Sequence, residues 1–213
     1  MNQPFCTKFH DLLGCSKTKN ILAMIVLALF LADCTEFSST YPSNDITLEQ
    51  AIQNGVNVVI TGQPGSGKSI ALADLAAKIV KSDPSVKRLW KTFPVLVHVS
   101  DIDLTSKKFN DPLDRIVETI SENISNLFRR RLPRFMKFMA YHGRLLILVD
   151  GLDELPLPAL DSAVKYLYTL TKRYPKARII TTSTPEFMDG LTNIGFYPLQ
   201  ITSWNLQTIN LFL

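Results

Sequence analysis

Residues 56–69 read VNVVITGQPGSGKS: a β-branched apolar run, a glycine-rich turn, then a lysine and a hydroxyl residue. Gly62, Gly67, Lys68 and Ser69 fill the four fixed places of the pattern G-x-x-x-x-G-K-[ST]. Backbone N–H groups can turn inward around an anion only where residues are small and tolerate positive φ, and a helix starting behind them adds the positive end of its dipole. Gly62, Gln63, Pro64, Gly65, Ser66 and Gly67 supply such a loop, with Lys68, Ser69 and Ile70 completing the candidate nucleotide-binding set. Lys68 is expected to set a point charge on the β and γ phosphates and to serve catalysis, and the Ser69 hydroxyl to ligate Mg²⁺.

The flanks give the motif its context. Val56, Val58, Val59 and Ile60 read as a buried parallel strand, and Ile70, Leu72, Ala73, Leu75, Ala76, Ile79 and Val80 as one broad apolar helix face. Strand, loop and helix in that order distinguish a phosphate site from a chance glycine-rich turn. Upstream, Thr47 to Asn54 reads as a short helix stopped by Gly55.

Downstream, the apolar runs 93–100 (FPVLVHVS), 145–150 (LLILVD), 177–182 (ARIITT) and 196–201 read as four further strands. Between them lies a helix opened by Asp111-Pro112, with Leu113, Ile116, Val117, Ile120, Ile124, Leu127 and Phe128 as its core face. Pro133 breaks it, and a shorter helix follows with Leu132, Phe135, Met136 and Met139 on its inner side. A third helix is lined by Leu160, Ala163, Val164, Leu167, Tyr168 and Thr171, and another starts at Trp204. Five strands alternating with helices predict an α/β fold, a three-layer sandwich around a parallel sheet.

The strand 145–150 ends in Asp150, followed by Gly151-Leu152-Asp153-Glu154. An aspartate at the carboxyl end of an apolar strand, in a chain that also has a phosphate loop, is where a second Mg²⁺-organising carboxylate belongs. Asp150 is therefore the candidate metal residue beside Ser69, and Glu154 or Asp153 the group that orients and deprotonates the attacking water. Asp101 and Asp103 stand at another strand end, where they either touch substrate or cap the following loop. His98 has no second metal-ligating residue near it in sequence and reads as a core or strand-end histidine.

The loop GQPGSGKS, the strand LLILVD with Gly151 after it, and the acid pair Asp153-Glu154 resemble the NACHT domain of the STAND class of P-loop NTPases, in which the two motifs are called Walker A and Walker B. The resemblance covers residues 46–213. It implies a P-loop NTPase sandwich with strand order 5-1-4-3-2, ATP or ADP with Mg²⁺ as cofactors, hydrolysis, signal transduction, and self-association through the NTPase domain. It also implies a Thr/Ser-Arg-Pro run whose arginine senses the γ-phosphate. Here the run is Thr182-Ser183-Thr184-Pro185, with Thr184 in the arginine's place. Such proteins continue into helical, winged-helix and sensor domains, so a chain ending at Leu213 reads as truncated, a fragment or a minimal form.

With 46% hydrophobic and 20% charged residues the chain is ordinary globular material and not a disordered one. Cys6, Cys15 and Cys34, odd in number and without C-x-x-C spacing, exclude a disulfide framework and a zinc site. Arg129, Arg130, Arg131, Arg134 and Lys137 read as a solvated helix end in preference to a nucleic-acid contact. Guanine specificity is not expected, because Thr171-Lys172-Arg173-Tyr174 lacks the acid such a motif requires.

Residues 1–45 form an extension with the apolar segment 21–32 (ILAMIVLALFLA) and a polar linker before the domain at 46–213. Twelve apolar residues suit a signal-peptide core or a buried helix and fall short of the roughly twenty that span a bilayer. Lys17 and Lys19 precede the segment, and Asp33, Glu36, Asp45 and Glu49 follow it, so a spanning helix would carry the domain away from ATP. The expectation is a cytoplasmic protein whose segment packs internally, docks on a protein partner or lies on a membrane surface. Two functions of different class remain: a slowly hydrolysing ATPase that acts as a conformational signalling switch, and a non-hydrolysing nucleotide-binding interaction module, for which Thr184 speaks. An ATP-driven nucleic-acid motor rests on the arginine run alone.

Overall fold

The computed structural model describes residues 29–31, 48–53, 55–106, 108–121 and 124–201. Its sheet has six strands: β1 (Leu29–Leu31), β2 (Asn57–Thr61), β3 (Phe93–His98), β4 (Leu145–Asp150), β5 (Arg178–Ser183) and β6 (Phe196–Ile201), in the order β1-β6-β2-β5-β4-β3. All neighbours from β6 to β3 pair in parallel. Counted from Asn57, those five strands run 5-1-4-3-2, as the resemblance implies.

Central strands of a parallel sheet are covered on both faces, so their side chains are mostly apolar. In β4, Leu145, Ile147 and Val149 join one core with Val59 and Ile179, while Leu146 and Leu148 join a second with Val58, Ile60 and Ile180. The first core is closed by α3 (Pro112–Ser121), α5 (Leu132–Tyr141) and α6 (Leu157–Arg173), which bury Ile116, Met136 and Leu167. The second is closed by α1 (Leu48–Gln53) and α2 (Lys68–Val80), which bury Ile52 and Leu72. Sheet between helical layers is the predicted sandwich.

Three details differ from expectation. Within the apolar segment 21–32, the described residues are the strand β1, antiparallel to β6 with Leu29 opposite Ile201, and not part of a buried helix. A sheet edge with unpaired N–H and C=O groups recruits an extended segment. The rest of that segment, and the helix expected from Trp204, lie outside the described residues. No helix among the described residues is long and apolar enough to cross a membrane.

The predicted face from Leu113 to Phe128 is not one helix. α3 ends at Ser121, and a separate turn, α4 (Asn126–Arg129), follows Ser125 in extended conformation. Ser and Asn compete with a helix for their own backbone, and Ser121 bonds the Glu118 carbonyl at 2.8 Å. Phe128 is consequently 63% exposed. Pro133 sits in the first turn of α5, where its missing N–H costs nothing. On α5, Leu132 and Met136 are buried, but Phe135 stays 42% exposed, its ring edge-on to Phe93 at 5.1 Å.

A polar lock ties the helical layer together. Asp111 Oδ2 accepts the Tyr174 hydroxyl at 2.6 Å and lies 3.3 Å from Lys137 Nζ, which also reaches Asp114 at 2.8 Å. Burial pushes the Asp111 carboxyl up, but the Tyr174 hydroxyl, the Leu113 amide and Lys137 outweigh it and hold it below its ordinary value. Burial, aided by the bond to Asp111, raises Tyr174.

Candidate functional site

β2 ends at Thr61, and residues 62–67 turn the chain into α2. Gly67 is its N-cap at φ 95°, a conformation that penalises a Cβ. Gly62 is needed for space: a Cβ there would lie 2.5 Å from Ser66 Oγ beneath the loop. Lys68 is only 7% exposed, and its ammonium is held by the Gly62 carbonyl at 2.9 Å, the Gln63 carbonyl at 3.3 Å and Asp153 Oδ2 at 3.1 Å. An ammonium this far out of water requires such partners.

Across the sheet, β4 delivers Asp150 beside the loop. Thr182 on β5 donates its hydroxyl to Asp150 Oδ1 at 2.6 Å and accepts the Gly151 N–H at 3.0 Å, so one side chain fixes both the carboxylate and the turn behind it. Gly151 has φ 82°, and a Cβ on it would lie 2.1 Å from His98 Nε2. His98 ends β3 in register with Asp150. Its Nδ1 sits 2.7 Å from Ser100 Oγ and 3.4 Å from the Ser100 N–H, and its Nε2 lies 3.5 Å from Glu154 Oε2.

These elements enclose a cleft of about 390 Å³ lined by the loop residues Pro64, Gly65, Gly67, Lys68, Ser69 and Ile70. Asp150, Asp153, Glu154 and Thr184 close its other side. Of the predicted residues, Gly62, Gln63 and Ser66 are absent from this lining: Gly62 and Ser66 shape the loop from below, and Gln63 offers its carbonyl to Lys68. Asp103 does not line it, because its Oδ1 caps the next turn through the Thr105 and Ser106 N–H groups. Those bonds, the Thr105 hydroxyl first, hold its carboxyl below the ordinary value. His98 is the strand-end histidine expected, but its place beside Glu154 and the part of Thr182 in holding Asp150 were not read from the sequence. Their signal is a polar residue at the carboxyl end of an apolar strand.

The residues fit a magnesium nucleotide. Thr184 Oγ1, on the cleft wall, is buried without a hydrogen-bond partner, as are Ser66 Oγ and Ser183 Oγ outside the lining, although few buried hydroxyls stay unpaired. Among the described residues no three His, Cys, Asp or Glu side chains gather as a metal cage. One carboxylate and one hydroxyl beside a phosphate cradle suit Mg²⁺, which keeps several waters and takes phosphate oxygens as ligands.

A family model described as the NACHT domain matches residues 57–195. The chain belongs to the NACHT domain family. No curated protein matches it. Among solved structures, PCH-2 of C. elegans is similar at 17% identity and a TM-score of 0.40, covering 74% of this chain and 41% of its own. The ORC2 protein of Aeropyrum pernix, solved as ADPNP–ADP complexes, is similar at 13% identity and a TM-score of 0.45, covering 85% of this chain and 54% of its own. Cdc6p from Pyrobaculum aerophilum follows at 12% identity and a TM-score of 0.41, covering 85% and 52%. The chain thus spans about half the length of these structures. Both the phosphate loop and the acid-bearing turn lie inside the matched NACHT segment, which has the fold of a nucleotide-binding P-loop NTPase.

Proposed function

We propose that this NACHT domain binds Mg-ATP in the cleft at 62–70 and hydrolyses it slowly, as a switch between two conformations. The observation that carries the reading is the convergence of Lys68, Ser69, Asp150, Glu154 and Thr184 on one cleft. ATP and Mg²⁺ would supply the scissile phosphate bond and the cation that neutralises its charge. The chain's own groups do the rest: loop amides and the Lys68 ammonium hold the phosphates, and Ser69 and Asp150 hold the metal through oxygen. Thr182 keeps Asp150 turned toward it.

Of the two acids after Gly151, Glu154 is the better base. Asp153 is tied to Lys68 and mostly buried, whereas the Glu154 side chain is 69% exposed and free to take a proton from water at the mouth of the cleft. Thr184 offers the γ-phosphate one neutral hydrogen bond in place of an arginine's charge-assisted pair, which supports slow turnover.

The same Thr184 favours a second reading, a nucleotide-binding interaction module that does not hydrolyse. Calorimetry with Mg-ATP and Mg-ADP, together with steady-state ATPase rates of the wild type and Glu154→Gln, separates the two. Binding lost in Lys68→Ala and turnover lost in Glu154→Gln support the switch. Binding with no turnover in either protein supports the module, and no binding at all refutes both.

A further inference from the structure

Between Ile124 and Arg144 the chain has six bases and no acid. The whole protein carries 23 Lys and Arg against 19 Asp and Glu, so the remainder holds 17 bases against 19 acids and is itself net acidic. The entire positive balance therefore comes from one stretch. Lys137 is neutralised by Asp111 and Asp114. Arg129, Arg130, Arg131 and Arg134 are exposed, and among the described residues none of them makes an ion pair or a side-chain hydrogen bond.

Large rings stand among these charges. α5 turns Leu132, Met136 and Ala140 into the core, which leaves Phe138 on its outer side at 53% exposure, flanked by Phe135 and Tyr141, 42 and 49% exposed with their rings leaning on Phe93 and Tyr174, and with Phe128 just before the helix. The outer face of a surface helix is ordinarily polar. Here it holds aromatic rings with guanidinium groups at one end, and the core contacts of its inner side hold the helix flat against the domain.

We propose that this face docks on a membrane surface rich in anionic phospholipid, with the arginines on the headgroups and the rings at the headgroup–acyl boundary. Exposed arginines with no acid among them leave their charge open to an anionic partner. A lipid interface accepts rings at any spacing and gains from each base near its surface. A nucleic-acid strand instead needs rings arrayed as a stacking platform along a basic groove. Here the unpaired bases cluster at one end of the helix, at 129–134, and do not run beside the rings at 135, 138 and 141. The inference is independent of the proposed ATPase activity.

The test is co-sedimentation of the full chain with vesicles of phosphatidylcholine, alone or mixed with phosphatidylserine, across a salt series. Binding is expected only to the mixed vesicles and should weaken with salt. The double variant Arg130→Gln/Arg131→Gln should lose about 25-fold, at about fivefold per arginine. Phe138→Ser should bind less tightly while retaining the salt dependence. Unchanged urea midpoints establish that the variants fold, and Arg130→Lys/Arg131→Lys should bind as the wild type does. Equal binding to neutral vesicles, or binding abolished by Leu27→Asp in the apolar segment but untouched by the arginine variants, overturns the proposal. So does binding of an oligothymidine that depends on the same arginines while vesicles are ignored.

Discussion

Gly151→Ala adds one methyl group, and the structure assigns it two separate costs. Gly151 sits at φ 82° and ψ 21°, where an L-residue is disfavoured by about 1–2 kcal/mol. The new Cβ would also lie 2.1 Å from His98 Nε2 and 2.5 Å from Cε1, far inside contact distance. The ring must swing out, giving up its bond to Ser100 Oγ at 2.7 Å and its place beside Glu154. That bond contributes about 0.5–1.5 kcal/mol. The expected total is about 2–3 kcal/mol. Urea unfolding of the wild type, Gly151→Ala, His98→Ala and the double variant separates the two parts. With His98 removed the overlap vanishes, and alanine should cost only the backbone part. Equal costs in both backgrounds, or a cost below the ordinary surface range of about 0.5 kcal/mol, would refute the reasoning.

Thr182→Val keeps the shape but leaves Asp150 and the Gly151 N–H without their shared partner, at a cost of about 1–3 kcal/mol. Urea midpoints should fall and nucleotide affinity should lose part of its Mg²⁺ dependence in calorimetry; neither change occurs if Thr182 only fills space. Asp153→Asn removes the carboxylate 3.1 Å from the buried Lys68 ammonium, so it should lower the urea midpoint of the nucleotide-free protein while tightening ATP binding in calorimetry, with turnover retained. Weaker binding would deny Asp153 the role of a counter-ion that competes with phosphate. Because the Asp111 carboxyl lies below its ordinary 3.8 in the folded state, its stabilisation is present above that value and is lost as pH falls through the folded one. Asp111→Asn should lower stability at neutral pH and flatten the fall below about pH 4 in acid-dependent unfolding curves.

β4 was the most legible strand, because burial on both faces leaves it apolar from Leu145 to Val149, and its polar residue, Asp150, lines the cleft; β5 was legible through its β-branched run, although Thr181, Thr182 and Ser183 are buried in it. The α3–α4 region was not, since apolar residues at helical spacing say nothing of the serines that end a helix between them. β1 was hidden for a related reason: an unbroken apolar run has no period, so extended and helical forms read alike. In the cleft, Pro64, Gly65, Gly67 to Ile70, Asp150, Asp153 and Glu154 were legible as lining because each set falls within a few consecutive positions. Thr182 lies 32 residues from Asp150, and His98 lies far from Glu154 in sequence. Only the strand register brings them together, and a single sequence does not print register.

That register also explains how two adjacent acids acquire different work. Residues 152–154 form one turn of 3₁₀-helix, which steps successive side chains by about 120°. Asp153 is thereby sent inward to Lys68 and Glu154 outward past His98. The turn follows Gly151, which stands at positive φ with its N–H held by Thr182, so the two side chains part directly behind the strand end, Asp153 toward the lysine and the more exposed Glu154 toward His98.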